Sequence, residues 1–289
     1  MVFEFSVLAL LGVLVGAIGT LIGAGGGFIL IPILMLCAPN TPEWQPLRNP
    51  ATLTAFSLVV VVCNATSGSI SYGRMKRIDF KSGLLFLIPG IPCALLGEWI
   101  GHHLSRAVFD PLFGVLLLSA SLFLFFRPKR ESNPAAKLKP GFHRTIIDAE
   151  GTRHDYAYNL PLAMLISAGV GLIANMLGIG GGIIHVPAMV HVLDFPVHLA
   201  TATSHFVLAI MTLAGTIAHL AQGDLDGAVL TKALVVGAGA IAGAQIGAQV
   251  SQHVRGRWIL RCLAVALGIV GVRILAMGLW ALSPWAGHS

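Results

Sequence analysis

Charge is what this sequence lacks most. Of its 289 residues only 10% are Asp, Glu, Lys or Arg, against about 25% in an average soluble domain, while 56% are apolar. So few charges cannot cover a water-facing surface, which excludes a freely soluble globular protein. Cysteine is scarce as well. Cys37, Cys63, Cys93 and Cys262 lie far apart inside apolar stretches, with no CxxC spacing that would make a zinc or redox pair. They read as small hydrophobes. There is no HExxH, no GxSxG and no carboxylate pair inside an apolar stretch, so no enzymatic chemistry is expected, and nothing calls for a cofactor or a resident metal. The net charge of +6 could suit nucleic acid, but the basic residues stand between apolar runs instead of along a polar face. No nucleic-acid partner is expected; the excess marks cytoplasmic loops of an integral membrane protein, whose partner is the lipid bilayer. The first apolar stretch opens with Glu4 instead of a basic leader and is expected to stay in the mature protein.

What is present is a series of nearly charge-free stretches, most of them matching the ~20 residues that a helix needs to cross a bilayer. Phe5 to Ala38 is too long for one crossing, and its middle reads Gly23-Ala24-Gly25-Gly26-Gly27, so the helix must break there. The motif, followed by Pro32, returns as Gly178-Ile179-Gly180-Gly181-Gly182 followed by Pro187, 155 residues later (178 − 23). Ala51-Thr52-Leu53-Thr54 resembles Ala200-Thr201-Ala202-Thr203, and the row Cys93, Gly97, Gly101 resembles Gly239, Gly243, Gly247. The expected organisation is therefore a first transmembrane repeat over 1–126, a polar cytoplasmic linker over 127–158 and a second repeat over 159–289. Arg74, Lys76, Arg77 and Lys81 crowd a loop whose second-half counterpart, around Asp224 and Asp226, is acidic; Arg255, Arg257 and Arg261 face a first-half loop holding only Arg106. The positive-inside rule is met by both halves only if they insert oppositely. The fold class expected is all-α: a polytopic membrane protein of two inverted repeats with broken or re-entrant Gly-rich helices, each half crossing three times if its glycine segment is re-entrant and five if both arms cross.

The glycine runs leave backbone amides unshielded at the positive end of the following helix, a place that favours anions. Gly25, Gly26, Gly27, Gly180, Gly181 and Gly182 are the candidate amide donors. In hydrocarbon such backbone is tolerated only when buried in protein or lining a cavity, so two breaks from opposite sides suggest one shared site. The plain alternative is close helix packing. A nucleotide loop is ruled out, because no GKS or GKT follows and the flanks are membrane-length apolar runs. Thr52, Thr54, Thr201, Thr203 and Ser204 could donate hydroxyls to an oxyanion, or simply cap their helices. His185 and His205 lie in apolar helices near the motifs and could donate to an anion or carry a proton, or hydrogen-bond between helices. Asn175 immediately precedes the second break, where the first has Thr20. Glu98 and Arg273 are the ionisable residues most plausibly inside the span; both lie near helix ends, and snorkelling to the interface is the expectation. The Gly239, Gly243, Gly247 row is assigned to internal packing or to a homodimer contact.

The paired signatures Gly23–Pro32 and Gly178–Pro187, the Ala-Thr-x-Thr segments and the small-residue helices resemble the TauE/SafE family of membrane anion exporters over all but the linker. The resemblance implies transport of sulfite or a related organosulfonate, with the glycine runs and Thr52, Thr54, Thr201 and Thr203 as matching positions; Asn175 and His185 have no identical partner in the first signature. The expected function is a secondary carrier, an exporter of a small sulfur oxyanion across the bacterial inner membrane by alternating access, with proton coupling through histidine. The alternatives are a histidine-dependent transition-metal or proton transporter and a non-transporting membrane scaffold.

Overall fold

The computed structural model describes residues 2–37, 41–126, 141–251 and 257–281. Arg255, the side chains of Arg257 and Arg261, and residues 127–140 of the expected linker lie outside the described residues. The first half holds α1 (Val2–Ile22), α2 (Gly27–Cys37), a 3₁₀ turn (Pro42–Arg48), α3 (Pro50–Arg74), α4 (Phe80–His102) and α5 (Arg106–Phe126). A hairpin of β1 (Phe142–Ile147) and β2 (Arg153–Tyr158) follows, then α6 (Leu160–Met176), α7 (Gly182–His191), α8 (Val197–Gln222), α9 (Gly227–Val250) and α10 (Arg257–Ala281). Six of these helices, α1, α3, α4, α5, α8 and α9, are long and apolar enough to cross a bilayer. The protein is an all-α polytopic membrane protein.

In so apolar a chain the helix boundaries are written by the few polar caps. Asn49, Asp79, Asn159 and Asp226 each accept a hydrogen bond from the amide of the first turn that follows, at Ala51, Ser82, Leu162 and Val229. Between the caps the helices are held by backbone-to-backbone contact. Gly12 and Gly16 of α1 back onto Val236 and Ala240 of α9, while Gly239, Gly243 and Gly247 back onto Ala9, Val13 and Ala17; a Cβ on Gly16 would lie 2.7 Å from Ala240 Cα. The rising register shows that α1 and α9 run parallel, and it spends the glycine row on an internal contact. α4 and α6 pack the same way, with Gly97 on Leu172 and Gly101 on Met176. Because Ala17 and Leu172 share the 155-residue spacing of the two motifs, the packing matches Gly97 with Gly247, one helical turn away from the sequence match.

α3 and α8 cross antiparallel, Gly68 meeting His205 and Gly215 meeting Leu58, and α5 lies antiparallel to α10, with Gly114 on Leu275 and Gly271 on Leu117. α3 runs parallel to α9, since Ser67 donates to the Ile241 carbonyl and Ser71 to Gln245. α1 and α3 therefore point the same way, so α2 and the 3₁₀ turn carry the chain back between them. The 11 residues of α2 span only ~16 Å at ~1.5 Å each, about half of a ~30 Å hydrocarbon core.

Within the expected linker, residues 141–158 form the hairpin, which clamps the turn between α3 and α4. Arg144 grips the fully buried Asp79 with three hydrogen bonds (Nη2–Oδ1 2.6 Å, Nε–Oδ2 2.9 Å, Nε–Oδ1 3.2 Å), Tyr156 donates to Asp79 Oδ2 (2.7 Å) and Tyr158 to Ser82 Oγ (2.6 Å). Burial pushes the Asp79 carboxyl up, but hydrogen bonds from Arg144, Ser82 and Tyr156 outweigh it and hold it below the usual carboxylate range. A depressed carboxyl stabilises the fold above its unfolded range, and that contribution is lost as pH falls through its folded value. Arg144→Ala leaves a buried charge unpaired and is expected to cost ~3 kcal/mol, read as a lower Tm of the purified protein, with Arg144→Lys retaining part. The other end of α4 touches Asp224, so cysteines introduced at the exposed Lys76 and Asp226 of a cysteine-free variant are expected to react with impermeant maleimide from opposite sides of the membrane.

Candidate functional site

Each break is a left-handed glycine turn. φ is +85°, +77° and +88° at Gly23, Gly25 and Gly26, and +68°, +79° and +76° at Gly178, Gly180 and Gly181, a region that side chains strongly disfavour. The two turns meet face to face. A Cβ on Gly27 would lie 2.6 Å from the Gly178 carbonyl oxygen, and one on Gly182 would strike the Gly23 carbonyl and lie 2.6 Å from Ala24 Cα. Val61 of α3 and Leu208 of α8, each near the middle of its helix, lie against both Gly25 and Gly180. The turns close with Gly23 N to Thr20 O and Ala24 N to Gly19 O in one half, and Gly178 N to Asn175 O and Ile179 N to Ala174 O in the other. Among the described residues the buried amides of Gly25–Gly27 and Gly180–Gly182 make no hydrogen bond, as expected of helix N-termini without a capping side chain. The contact leaves no room for a solute between Gly27 and the Gly178 carbonyl, so a guest there requires the breaks to part.

The packing selects among the threonines, by their methyl groups. A Cβ on Gly178 would sit 2.9 Å from Thr54 Cγ2, and one on Gly23 2.9 Å from Thr201 Cγ2, so Thr54 and Thr201 are the pair that flanks the breaks. Their places in the two Ala-Thr-x-Thr segments differ by two residues, so the sequence match of the segments is displaced. Ser57 donates to the Gly178 carbonyl at 2.7 Å, while Ser204 is buried with no partner for its Oγ. Thr203 accepts from the Asp79 amide at 3.0 Å and so joins α8 to the α3–α4 turn, not to the breaks; Thr52 is buried at the start of α3. Asn175 donates to the Met211 carbonyl (3.2 Å) and leaves its Oδ1 unpaired, whereas Thr20 donates to Asn64 Oδ1 (2.9 Å) and leaves Asn64 Nδ2 unpaired. His205 lies against Gly68 with its ring edge to Tyr72 (5.5 Å), and Tyr72 in turn donates to the Thr20 carbonyl, so this histidine belongs to the first break. His185 does not. Its ring packs on Phe86 (5.9 Å), beside Tyr158 and Phe195, with neither nitrogen bonded.

From the first break a polar seam runs along α3. Asn64, Ser67 and Ser71 face α1 and α9, with Gln245 bonded to both serines, and the seam ends in a cleft of ≈ 250 Å³ lined by Arg74, Arg77, Glu150, Gln245 and Gln249. Arg77 is buried, binds Glu150 through one nitrogen (3.0 Å) and leaves Nη1 unpaired. Asn64 and Ser57 carried no signal in the sequence, being single polar residues in an apolar helix. Glu98 corrects its expectation outright: it does not snorkel but is 2% exposed, held by Gln222 (2.8 Å) and 3.6 Å from His219. Arg273 is exposed on α10.

The model of the sulfite exporter TauE/SafE family matches residues 8–274. The chain belongs to the TauE/SafE family. This TauE/SafE protein is 30% identical over 278 residues to the probable membrane transporter protein YunE of Bacillus subtilis, covering 96% of this chain and 100% of that one. It is 24% identical over 287 residues to a probable membrane transporter protein of Methanocaldococcus jannaschii, 94% and 97% of the two chains. No solved structure gives a significant match. The protein is thus a multi-pass membrane transporter of the TauE/SafE type, not an enzyme. Adding one methyl group tests the contact between its breaks. Gly27→Ala and Gly182→Ala meet backbone, which cannot swing aside, and are expected to abolish the folded, monodisperse protein on size exclusion; Gly169→Ala, with nothing within 4 Å of the added carbon, is expected to be neutral.

Proposed function

We propose that this protein is a secondary carrier that exports sulfite or a small organosulfonate across the inner membrane by alternating access of two inverted halves, the linker side being cytoplasmic. The observation that carries the proposal is the meeting of the two glycine breaks, which are contributed by different halves and whose six buried amides show no partner among the described residues. The antiparallel α3/α8 and α5/α10 pairs, and the exchange of α1–α9 for α4–α6, are the packing that oppositely inserted repeats make. A small oxyanion bound between parted breaks takes hydrogen bonds from Gly25–Gly27 and Gly180–Gly182 and from the hydroxyls of Thr54 and Thr201. Such donors are neutral, so they recognise the anion without burying a second full charge in the low-dielectric interior. The seam from the Arg74–Arg77 cleft supplies a basic approach on the side proposed to be cytoplasmic, which suits an exporter. His205, beside the first break, is the group placed to carry a coupled proton.

The test is efflux from proteoliposomes loaded with sulfite or an alkyl sulfonate, with and without a pH gradient. Thr54→Val together with Thr201→Val keeps side-chain volume and removes two hydroxyl donors, each worth ~1 kcal/mol, so the rate is expected to fall by roughly tenfold or more while the protein stays monodisperse. An unchanged rate in this double variant overturns the site, and no flux of either anion by the wild type overturns the substrate class.

A further inference from the structure

At the end of the molecule opposite the hairpin, two pairs of side chains more than a hundred residues apart come together, Glu98 and His102 of α4 with His219 and Asp224. Asp224 Oδ2 lies 2.6 Å from His219 Nδ1 and 3.1 Å from His102 Nδ1, and His219 Nδ1 lies 3.6 Å from Glu98 Oε1. The ligand atoms of Glu98, His219 and Asp224 all fall within 4.8 Å of one another. Around a tetrahedral ion with bonds of ~2.1 Å, neighbouring ligand atoms sit ~3.4 Å apart, so small rotations of these side chains suffice to close on one centre.

Electrostatics ask for a cation here. Glu98 is buried and the Asp224 side chain is 8% exposed, and among the described residues no lysine or arginine pairs with either; their charge partners there are imidazoles, neutral unless protonated. Two carboxylates held away from water without a fixed positive charge are costly. The last turns of α4 and α8 both end at the cluster, so their carbonyl ends add negative potential. Gln222 donates to Glu98 at 2.8 Å and fixes its orientation, as residues behind a metal ligand do. His102, one-third exposed, opens the group to the aqueous face.

The geometry points to a binding site for one divalent transition-metal cation of the zinc type, held by Glu98, His219 and Asp224 with His102 as the outer ligand. The mixed imidazole and carboxylate donors select such ions over magnesium or calcium, which take oxygen ligands. α4 and α8 come from different halves of the chain, so the ion fastens one half to the other at this end.

The test uses the tag-free full-length protein in detergent, stripped with chelator and titrated with Co²⁺, then competed with Zn²⁺. One Co²⁺ per chain is expected to bind, with the visible absorption of nitrogen and oxygen coordination, and to be displaced by Zn²⁺. Glu98→Gln and His219→Gln are each expected to weaken binding by more than tenfold, while His185→Gln, in the aromatic pocket, leaves it unchanged. Asp224→Asn, in the loop after α8, serves as the same test if either helical variant fails to fold. Absence of saturable binding, a spectrum unchanged in the cluster variants, or loss in His185→Gln overturns the site.

Discussion

In a hydrocarbon slab a backbone amide or carbonyl has no water to turn to, so any interruption of a helix must be settled inside the protein. Two interruptions dominate this molecule, and they are placed against each other. Gly27 and Gly182 bring bare backbone to the carbonyls of Gly178 and Gly23, and Ser57 supplies a hydroxyl to one of them. The rest of the architecture serves that contact. α3 and α8 cross beside it and cover it with Val61 and Leu208, and the α1–α9 and α4–α6 pairs approach through glycine so closely that neighbouring helices brace the broken ones. The same lack of side chains that permits the contact also leaves amides uncommitted, so one feature carries both the packing and the proposed recognition of an anion.

The two ends of the helix array are chemically unlike. One carries Arg74, Arg77 and the hairpin, with Arg144 locked on Asp79 so that the α3–α4 turn, Thr203 of α8 and the strands form one polar joint. The other carries Glu98, Asp224, His102 and His219. An anion approaching the first end meets Arg74 and Arg77, the latter already paired with Glu150, and a cation approaching the second meets carboxylate. Between them, within an apolar interior, the polar side chains along α3 and beside the breaks are neutral: Asn64, Ser67, Ser71, Thr54 and Thr201.

Much of this was legible in the residues. The membrane class followed from 10% charge, the breaks from Gly23–Gly27 and Gly178–Gly182, and the candidate hydroxyls from their position after each break. The finer matches slipped, because a repeated Ala-Thr-x-Thr or a glycine every fourth residue looks the same when displaced by two residues or one turn, and only contact with Gly23, Gly178, Ala17 or Leu172 fixes the register. Glu98 was misjudged because nearness to a helix end does not tell whether another helix covers it. The hairpin was missed because its anchors, Asp79 and Ser82, lie more than sixty residues from Arg144, Tyr156 and Tyr158.

The sequence by itself determined that the chain lives in a membrane, where its helices must break and which residues repeat, because these depend on composition and on short-range backbone preference. Only the tertiary structure decided that the two breaks touch, that Thr54 and Thr201 rather than Thr203 flank them, that the His205 ring lies by the first break while the His185 ring turns to Phe86, and that Glu98 meets His219 and Asp224. Those are contacts between segments more than a hundred residues apart in most cases, and helix packing, not local propensity, sets them.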